Sequence, residues 1–536
     1  MSDHPDESEL EDEILEDDMT DDIGQVAPDE DEELETKRFP RYVYNPISLT
    51  GAALAIAMLF AIIIIFIVDA SQPDPNPYIG ILGFAIFPIP FILGLLLIPF
   101  GMWIVWRRVK QDKPALQMLP TLDMNKSQHR VAFFTFTTGT ILFLFLSAGG
   151  FYKLYEYTES VAFCGTTCHT VMEPEHTTYL VGPHARVKCV ECHIGEGTEW
   201  YVRSKLSGAY QVYSVLFNKY QRPIPTPIEN LRPARETCEH CHWPEKFHGN
   251  QMWEVNRYLS DEQNTRWNIQ MVMNTGGTEK TGDENHSIHW HIAQTLEYVA
   301  ADSTRREIRE VRQHRPDATV EVFRSLNNPL AEEESAMLPE EDIRVMDCMD
   351  CHNRPSHQYL SPRHAMDQAI ERDRIPADLP FIKRIGTNLL ADEYQDRETG
   401  MQAIETEIIG YYQENYPLIA TSRIEDVNRS ITGVQQLYST YFFPAMNARW
   451  SAYPSHIGHQ EFPGCFRCHN GMMATDEGKL IRNDCQLCHT IIGQGFAGAD
   501  FATSGLAGLE FRHPEDIGEA WRFMSCTDCH TGGEYY

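Results

Sequence analysis

All fourteen cysteines of this 536-residue chain fall into seven pairs, and a histidine follows each pair at once. Six pairs have the form Cys-x-x-Cys-His: Cys189, Cys192 and His193; Cys238, Cys241 and His242; Cys348, Cys351 and His352; Cys465, Cys468 and His469; Cys485, Cys488 and His489; Cys526, Cys529 and His530. The first in the chain, Cys164, Cys168 and His169, has three residues between its cysteines. Zinc sites do not demand a histidine directly after every second cysteine, and a thioredoxin-like redox pair appears once or twice rather than seven times. Covalent haem does demand this pattern: two thioethers hold the porphyrin and the adjacent imidazole takes the iron. We therefore expect seven haems c, with His169, His193, His242, His352, His469, His489 and His530 as proximal ligands. At Cys164 and Cys168 a disulfide or an empty site is the alternative. The extra residue can bulge out while both sulfurs still reach the porphyrin.

Charge divides the rest. Residues 1–36 hold 18 Asp or Glu and no Lys or Arg, so this stretch cannot bury enough apolar surface to fold. Segment 1–46 is read as a disordered acidic tail. It accounts for over half of the net charge of −33, and that acidic balance excludes a nucleic-acid partner. Three apolar runs follow, at 47–68, 78–106 and 131–152. At about 1.5 Å per residue, 22 helical residues reach about 33 Å, enough to cross a bilayer core of about 30 Å. Segment 47–152 is thus expected to be a three-helix membrane anchor, with Pro88, Pro90 and Pro99 kinking the second helix. Lys37, Arg38 and Arg41 precede the first run and six Lys or Arg lie in 107–130, whereas 69–77 has none. The positive-inside rule then puts the N-terminus in the cytoplasm and residues 153–536 outside. Haem attachment on the outer side of an energy-coupling membrane requires the same orientation. The expected location is a bacterial inner membrane, multi-pass, with a periplasmic haem domain.

In that domain three motifs lie in 153–250, one in 346–460 and three in 461–536, with a haem-free insertion at 251–345. Alternation in "TLEYVAAD", "REIREVRQ" and "ATVEVFRS" predicts short strands, so the insertion is partly β. "GMQAIETEIIGYYQENY" and "GVQQLYSTYFF" have helical spacing. The expected fold is a membrane anchor of three transmembrane helices plus a mostly α and loop multihaem cytochrome c domain with a small β insertion, porphyrin replacing much of the ordinary core.

Fifteen histidines lie outside the motifs, and the topology leaves thirteen of them for at most seven irons. The candidate distal ligands are His184, His289, His291, His357, His456, His459 and His513, ahead of His176, His240, His248, His286, His314 and His364.

"CGTTCHTVMEPEH" and "GPHARVKCVECHIG", preceded by an apolar span, resemble the NapC/NirT family of membrane-anchored quinol dehydrogenases over about residues 131–250. Three spans, seven motifs, "RPIPTPIENLRPARETCEHCHWPEKF" and "CMDCHNRPSH" resemble the larger inner-membrane heptahaem cytochromes of metal-respiring bacteria over nearly all of the chain beyond residue 45. The resemblance implies electron transfer from membrane menaquinol or another quinol to periplasmic c-type cytochromes, in anaerobic or extracellular respiration. It also implies Met172 as an axial ligand of the first haem, His184 as a ligand of a more distant haem, and Lys205 beside the quinol site. With the neighbouring Glu173, Glu175 and His176 as hydrogen-bond acceptors, these residues form the candidate quinol site. The expected partners are the quinone pool, the lipid bilayer and periplasmic cytochromes, with a homo-oligomer left open.

Two other classes were weighed. A terminal reductase of a small oxyanion needs an open iron position, and the surplus of histidines argues against one. A haem protein for storage has no use for three spans. Electron flow in the reverse direction, into the quinone pool, remains the alternative, because potentials cannot be read from sequence.

Overall fold

The computed structural model describes residues 43, 45–70, 87–111, 113, 124–167, 169–195, 197–228, 232–243, 249–276, 287–496, 498 and 500–533. The expected acidic tail lies outside these, as does the start of the second apolar run at 78–86. The chain forms two units, residues 1–135 and 136–536.

In the first unit, α1 (Pro46–Ala70) and α2 (Pro88–Val109) are each long and apolar enough to cross a membrane, with mean hydropathies of 2.5 over Pro46–Ile64 and 2.2 over Pro88–Val109. Asn45 begins α1: its Oδ1 accepts the Ser48 backbone N–H at 2.9 Å. The Ser48 hydroxyl then donates to the Ile98 carbonyl at 2.8 Å, a buried polar contact that ties α1 to α2. The two backbones approach so closely that a Cβ on Gly94 would stand 2.8 Å from Ala55 N and from Gly51 O, the kind of contact through which helices associate in lipid. The expectation of three kinking prolines needs correction. Pro88 and Pro90 fall in the first turn of α2, where no intrahelical donor is required, and only Pro99 lies inside the helix. The third apolar run lies within α3 (Ser127–Thr158), where Leu142 is the only described side chain between 140 and 151.

In the second unit, α3 is followed by α4 (Val161–Thr166), α5 (His169–Val181), α6 (Cys189–His193) and α7 (Thr198–Leu216). Among the described residues, nine strands form two antiparallel sheets: β1 (Gln251–Tyr258), β2 (Arg266–Met273), β3 (Thr295–Ala300), β4 (Ile308–His314), β5 (Val320–Ser325), β6 (Arg344–Val345), β7 (Met473–Ala474), β8 (His489–Phe496) and β9 (Phe501–Thr503). The orders are β1-β2-β8-β9 and β6-β3-β4-β5-β7. The strands predicted from alternation are β3, β4 and β5. The β region is larger than a small insertion at 251–345, because β7, β8 and β9 come from the C-terminal trihaem segment and complete both sheets. Trp267 on β2 packs edge-on against Phe496 on β8 at 4.8 Å and is almost fully buried, which fixes that non-local pairing.

Helices Pro362–Glu371, Ile382–Ala391, Arg397–Asn415 and Ile424–Tyr441 close over Met366, Ile382, Leu390, Ile404, Ile408 and Val434, all fully buried. Ile404, Ile408 and Tyr412 recur every four residues and present one apolar stripe. This part has an ordinary side-chain core. Inside it the Lys383 ammonium is buried against the Asp367 carboxylate and also donates to the Arg363 carbonyl at 2.5 Å. Arg257 approaches Asp367 at 3.5 Å. Removing one partner of a buried pair strands a charge, at a cost of about 3–5 kcal/mol. Lys383→Met is therefore expected to lower the thermal midpoint sharply, and adding Asp367→Leu to recover most of the loss. A thermal melt in which the single variant matches wild type would contradict this.

Candidate haem sites

A Cys-x-x-Cys-His run binds one porphyrin only if both sulfurs and the imidazole leave the backbone on the same side. One helical turn achieves this. The N–H of His242, His352, His469 and His530 donates to the carbonyl of its own first cysteine at 2.8, 2.8, 3.1 and 2.8 Å, and Cys189–His193 is itself a helical turn. His489 instead leaves its turn as the first residue of β8. The opening motif is different again. Cys164 sits in α4 and His169 starts a new helix, α5, so the additional residue falls at a junction between two helices. Cys168 and the side chain of His169 lie outside the described residues.

Five of the seven candidate distal histidines stand against a motif histidine. The ring centroids are 6.1 Å apart for His184 and His242, 6.2 Å for His357 and His193, and 5.7 Å for His291 and His469. For His459 with His489, and His513 with His530, they are 6.2 and 6.0 Å apart. Two imidazoles each bonded at about 2.0 Å to a metal between them have centroids roughly 6 Å apart. His289 is close enough to His352 for its charge to act on it. The second nitrogens fit the same chemistry. Nδ1 of His184, His289, His291 and His357 lies 2.5–3.2 Å from the carbonyls of Pro355, Thr275, Ile288 and Glu175 respectively. A carbonyl can only accept, so each contact fixes the proton on Nδ1 and leaves Nε2 for a metal. His513 Nδ1 faces both the carbonyl and the N–H of Glu515, at 2.9 and 3.2 Å. The residues present thus fit bis-histidine haem at five motifs, with His289 the candidate at His352.

Among the described residues His456 has no ring contact with a motif histidine. Its Nδ1 contacts the Asp350 carbonyl at 3.1 Å, and burial followed by the Arg467 charge pushes its pKa down to about 4.

Successive motifs are neighbours in chain order. Cys164 and Cys189 are in hydrogen-bond contact, as are Cys238 and Cys348. Cys192 lies near Cys241, Cys351 near Cys465 and Cys468, Cys488 near Cys465, and Cys526 near Cys485. The fourth motif is anchored from within. Asp350, between Cys348 and Cys351 and almost fully buried, accepts from Tyr298 on β3 at 2.6 Å, Arg344 on β6 at 2.7 Å, Arg305 at 3.3 Å and the Asp347 N–H at 2.7 Å. Burial and the Asp350 charge raise the Tyr298 pKa and keep its hydroxyl a donor.

The five residues expected at a quinol site point to different partners. Glu173 pairs with Arg397 at 2.6 Å. Glu175 accepts both guanidinium bonds of Arg354 at 2.9 and 3.0 Å and the Tyr359 hydroxyl at 3.1 Å, while its carbonyl faces His357 Nδ1. Burial and this carboxylate raise the Tyr359 pKa. The His176 ring packs beneath Gly165, where a Cβ would meet it at 2.3 Å. Met172 is half-buried on α5. Lys205 on α7 pairs at 2.8 Å with Glu159, a nearly buried carboxylate, and both charges lie close enough to Cys164 to act on it. Glu159 was missed in the sequence because an acidic residue just past an apolar run reads as a headgroup contact.

Residues 125–232 match the NapC/NirT cytochrome c family, N-terminal region. The cytochrome c-type protein ImcH of Geobacter sulfurreducens is 42% identical over 490 residues, 91% of this chain and 95% of ImcH. The cytochrome c-type protein NrfH of Wolinella succinogenes is 28% identical over 124 residues, 22% of this chain and 68% of NrfH. No solved structure matches. With the haem motifs, their paired histidines and two membrane-compatible helices already in place, near-full-length identity to ImcH makes this chain a member of the NapC/NirT-type family of membrane cytochromes c.

Proposed function

We propose that the chain is a heptahaem quinol dehydrogenase of the bacterial inner membrane, taking electrons from menaquinol and delivering them to periplasmic c-type cytochromes. The N-terminus is cytoplasmic, the third apolar run crosses as well, and the haem domain is periplasmic. The observation that carries this reading is the succession of neighbouring motifs from Cys164 to Cys526, in hydrogen-bond contact at Cys164–Cys189 and Cys238–Cys348. Bound haem would supply one-electron carriage, and the polypeptide supplies ligands, order and spacing. A histidine facing the motif histidine at five sites, with His289 the candidate at a sixth, favours transfer over reduction of a small substrate.

Electrons enter at the opening motif. Only Glu159 to Phe163 separate the end of α3 from Cys164, so a lipid-soluble donor meets this site first. Met172, three residues after His169, would be its second protein ligand. Quinol oxidation releases two protons along with two electrons, and the Glu159 carboxylate, held by the Lys205 ammonium beside Cys164, is placed to take them one at a time and pass each to water. Glu175 has another role: clamped by Arg354 and Tyr359, it orients His357 rather than taking protons. Glu173 and His176 flank the site on α5.

Replacing Lys205 or Met172 with Leu, or Glu159 with Gln, is expected to slow menaquinol-driven haem reduction in membranes by roughly 10²-fold, the usual worth of a positioned acid or base. Dithionite should still reduce every haem. Wild-type rates in all three variants would place quinol oxidation elsewhere. His184→Ala and His291→Ala should each convert one low-spin haem to high spin in magnetic circular dichroism, and an unchanged spectrum would overturn the corresponding ligand assignment.

A further inference from the structure

Helix α7 is built inside out. The side packed on the protein presents Ser204, Ser207 and the buried Ser214, with Val215 against the cluster of Val171, Tyr359 and Phe443. The opposite side presents Val202, Leu206, Tyr210, Tyr213, Leu216 and Phe217. Leu206 is 69% exposed, Tyr210 66%, Leu216 74% and Phe217 63%. Spacings of four, four, three and three residues put Val202, Leu206, Tyr210, Tyr213 and Leu216 on one stripe. A helix that hides its serines and shows its leucines to the outside is not stabilised by water on that face.

The surroundings identify what covers it. Residues 198–222 carry Arg203, Lys205, Lys219 and Arg222 against Glu199 alone, a local charge of +3 in a chain of −33. Their cationic groups lie on aromatic rings: Arg203 over Trp200 at 5.1 Å, Lys219 over Tyr213 at 4.9 Å and Arg222 over Tyr220 at 4.8 Å. An apolar stripe edged by tyrosines and cations matches the boundary between acyl chains and anionic headgroups. A second copy of the chain fits less well. A stripe of 19 residues is about 28 Å long and about 10 Å wide, well short of the roughly 800 Å² per partner of a stable interface. A haem held at Cys164 adjoins the Lys205 flank, while the stripe centres on the side opposite the packed face.

We propose that α7 is an interfacial helix, lying along the outer leaflet with this stripe about 5–10 Å into the headgroup and acyl boundary. The proposal rests on the periplasmic orientation proposed above and adds a lipid contact surface to it. Such a helix would hold the Lys205–Glu159 pair at the depth from which a lipid-soluble donor arrives.

The test is carbene footprinting of the full-length holoprotein in vesicles containing anionic phospholipid, with one diazirine probe dissolved in the lipid and another in water. The lipid-borne probe should modify Leu206, Tyr210 and Leu216 about as heavily as the exposed residues of Pro88–Val109, and the water-borne probe should leave them untouched. Heavy aqueous labelling overturns the proposal, and protection from both probes does so too, since it assigns the stripe to a protein interface. Menaquinol-driven haem reduction measured on the same vesicles separates the two claims. Reduction without lipid labelling of α7 removes the interfacial helix alone, and lipid labelling without reduction removes the quinol dehydrogenase alone.

Discussion

One turn of chain, closed at His242, His352, His469 and His530 by a hydrogen bond back to the first cysteine of the motif, is the constraint on which the haem domain depends. It puts two sulfurs and an imidazole on one side of the chain, and the motifs occur in helices, in 3₁₀ turns or at the head of a strand. Everything beyond that turn has to supply the opposite ligand. The candidates His184, His289, His291 and His357 have Nδ1 set against a main-chain carbonyl, which orients each ring from the backbone.

Carrying charge through a low-dielectric interior raises a second demand, met by buried carboxylates held in guanidinium clamps. Asp350 takes Arg344, Arg305 and Tyr298 within the fourth motif. Glu310, fully buried on β4, takes Arg312, Arg324 and the Ser335 hydroxyl. Glu175 takes Arg354 beside the second motif. Each clamp joins a haem-bearing loop or a sheet to a distant segment, and none could lose its arginines without stranding a buried anion. These contacts, more than apolar area, set the loops of the trihaem segments relative to the helical core.

The parts of this arrangement that were legible in the sequence are those whose signal is local. The seven motifs are contiguous strings, β3, β4 and β5 alternate every second residue, and the helices Arg397–Asn415 and Ile424–Tyr441 repeat at helical spacing. Strands β1 and β2 lack that alternation in their burial, and their sheet is completed by β8 and β9, more than 200 residues away, a partner that no local pattern announces. Distal histidines are non-local in the same way. "SHIGH" offers His456 and His459 on equal terms, and only the fold sends His459 to His489 while burying His456 against Asp350. Glu173 and Glu175 read as free acceptors beside Met172, yet Arg397 and Arg354 arrive from distant helices and loops to engage them.

The central claim is a single unbranched line of seven irons that follows the order of the motifs, with a helix junction rather than a broken site at its head. Anomalous scattering at the iron edge from crystals of the holoprotein reads this directly. The account predicts seven peaks, six of them between His193 and His357, His242 and His184, His352 and His289, His469 and His291, His489 and His459, and His530 and His513, with the seventh beside Cys164 and Met172. Six peaks, or a seventh iron placed away from Cys164, would contradict it.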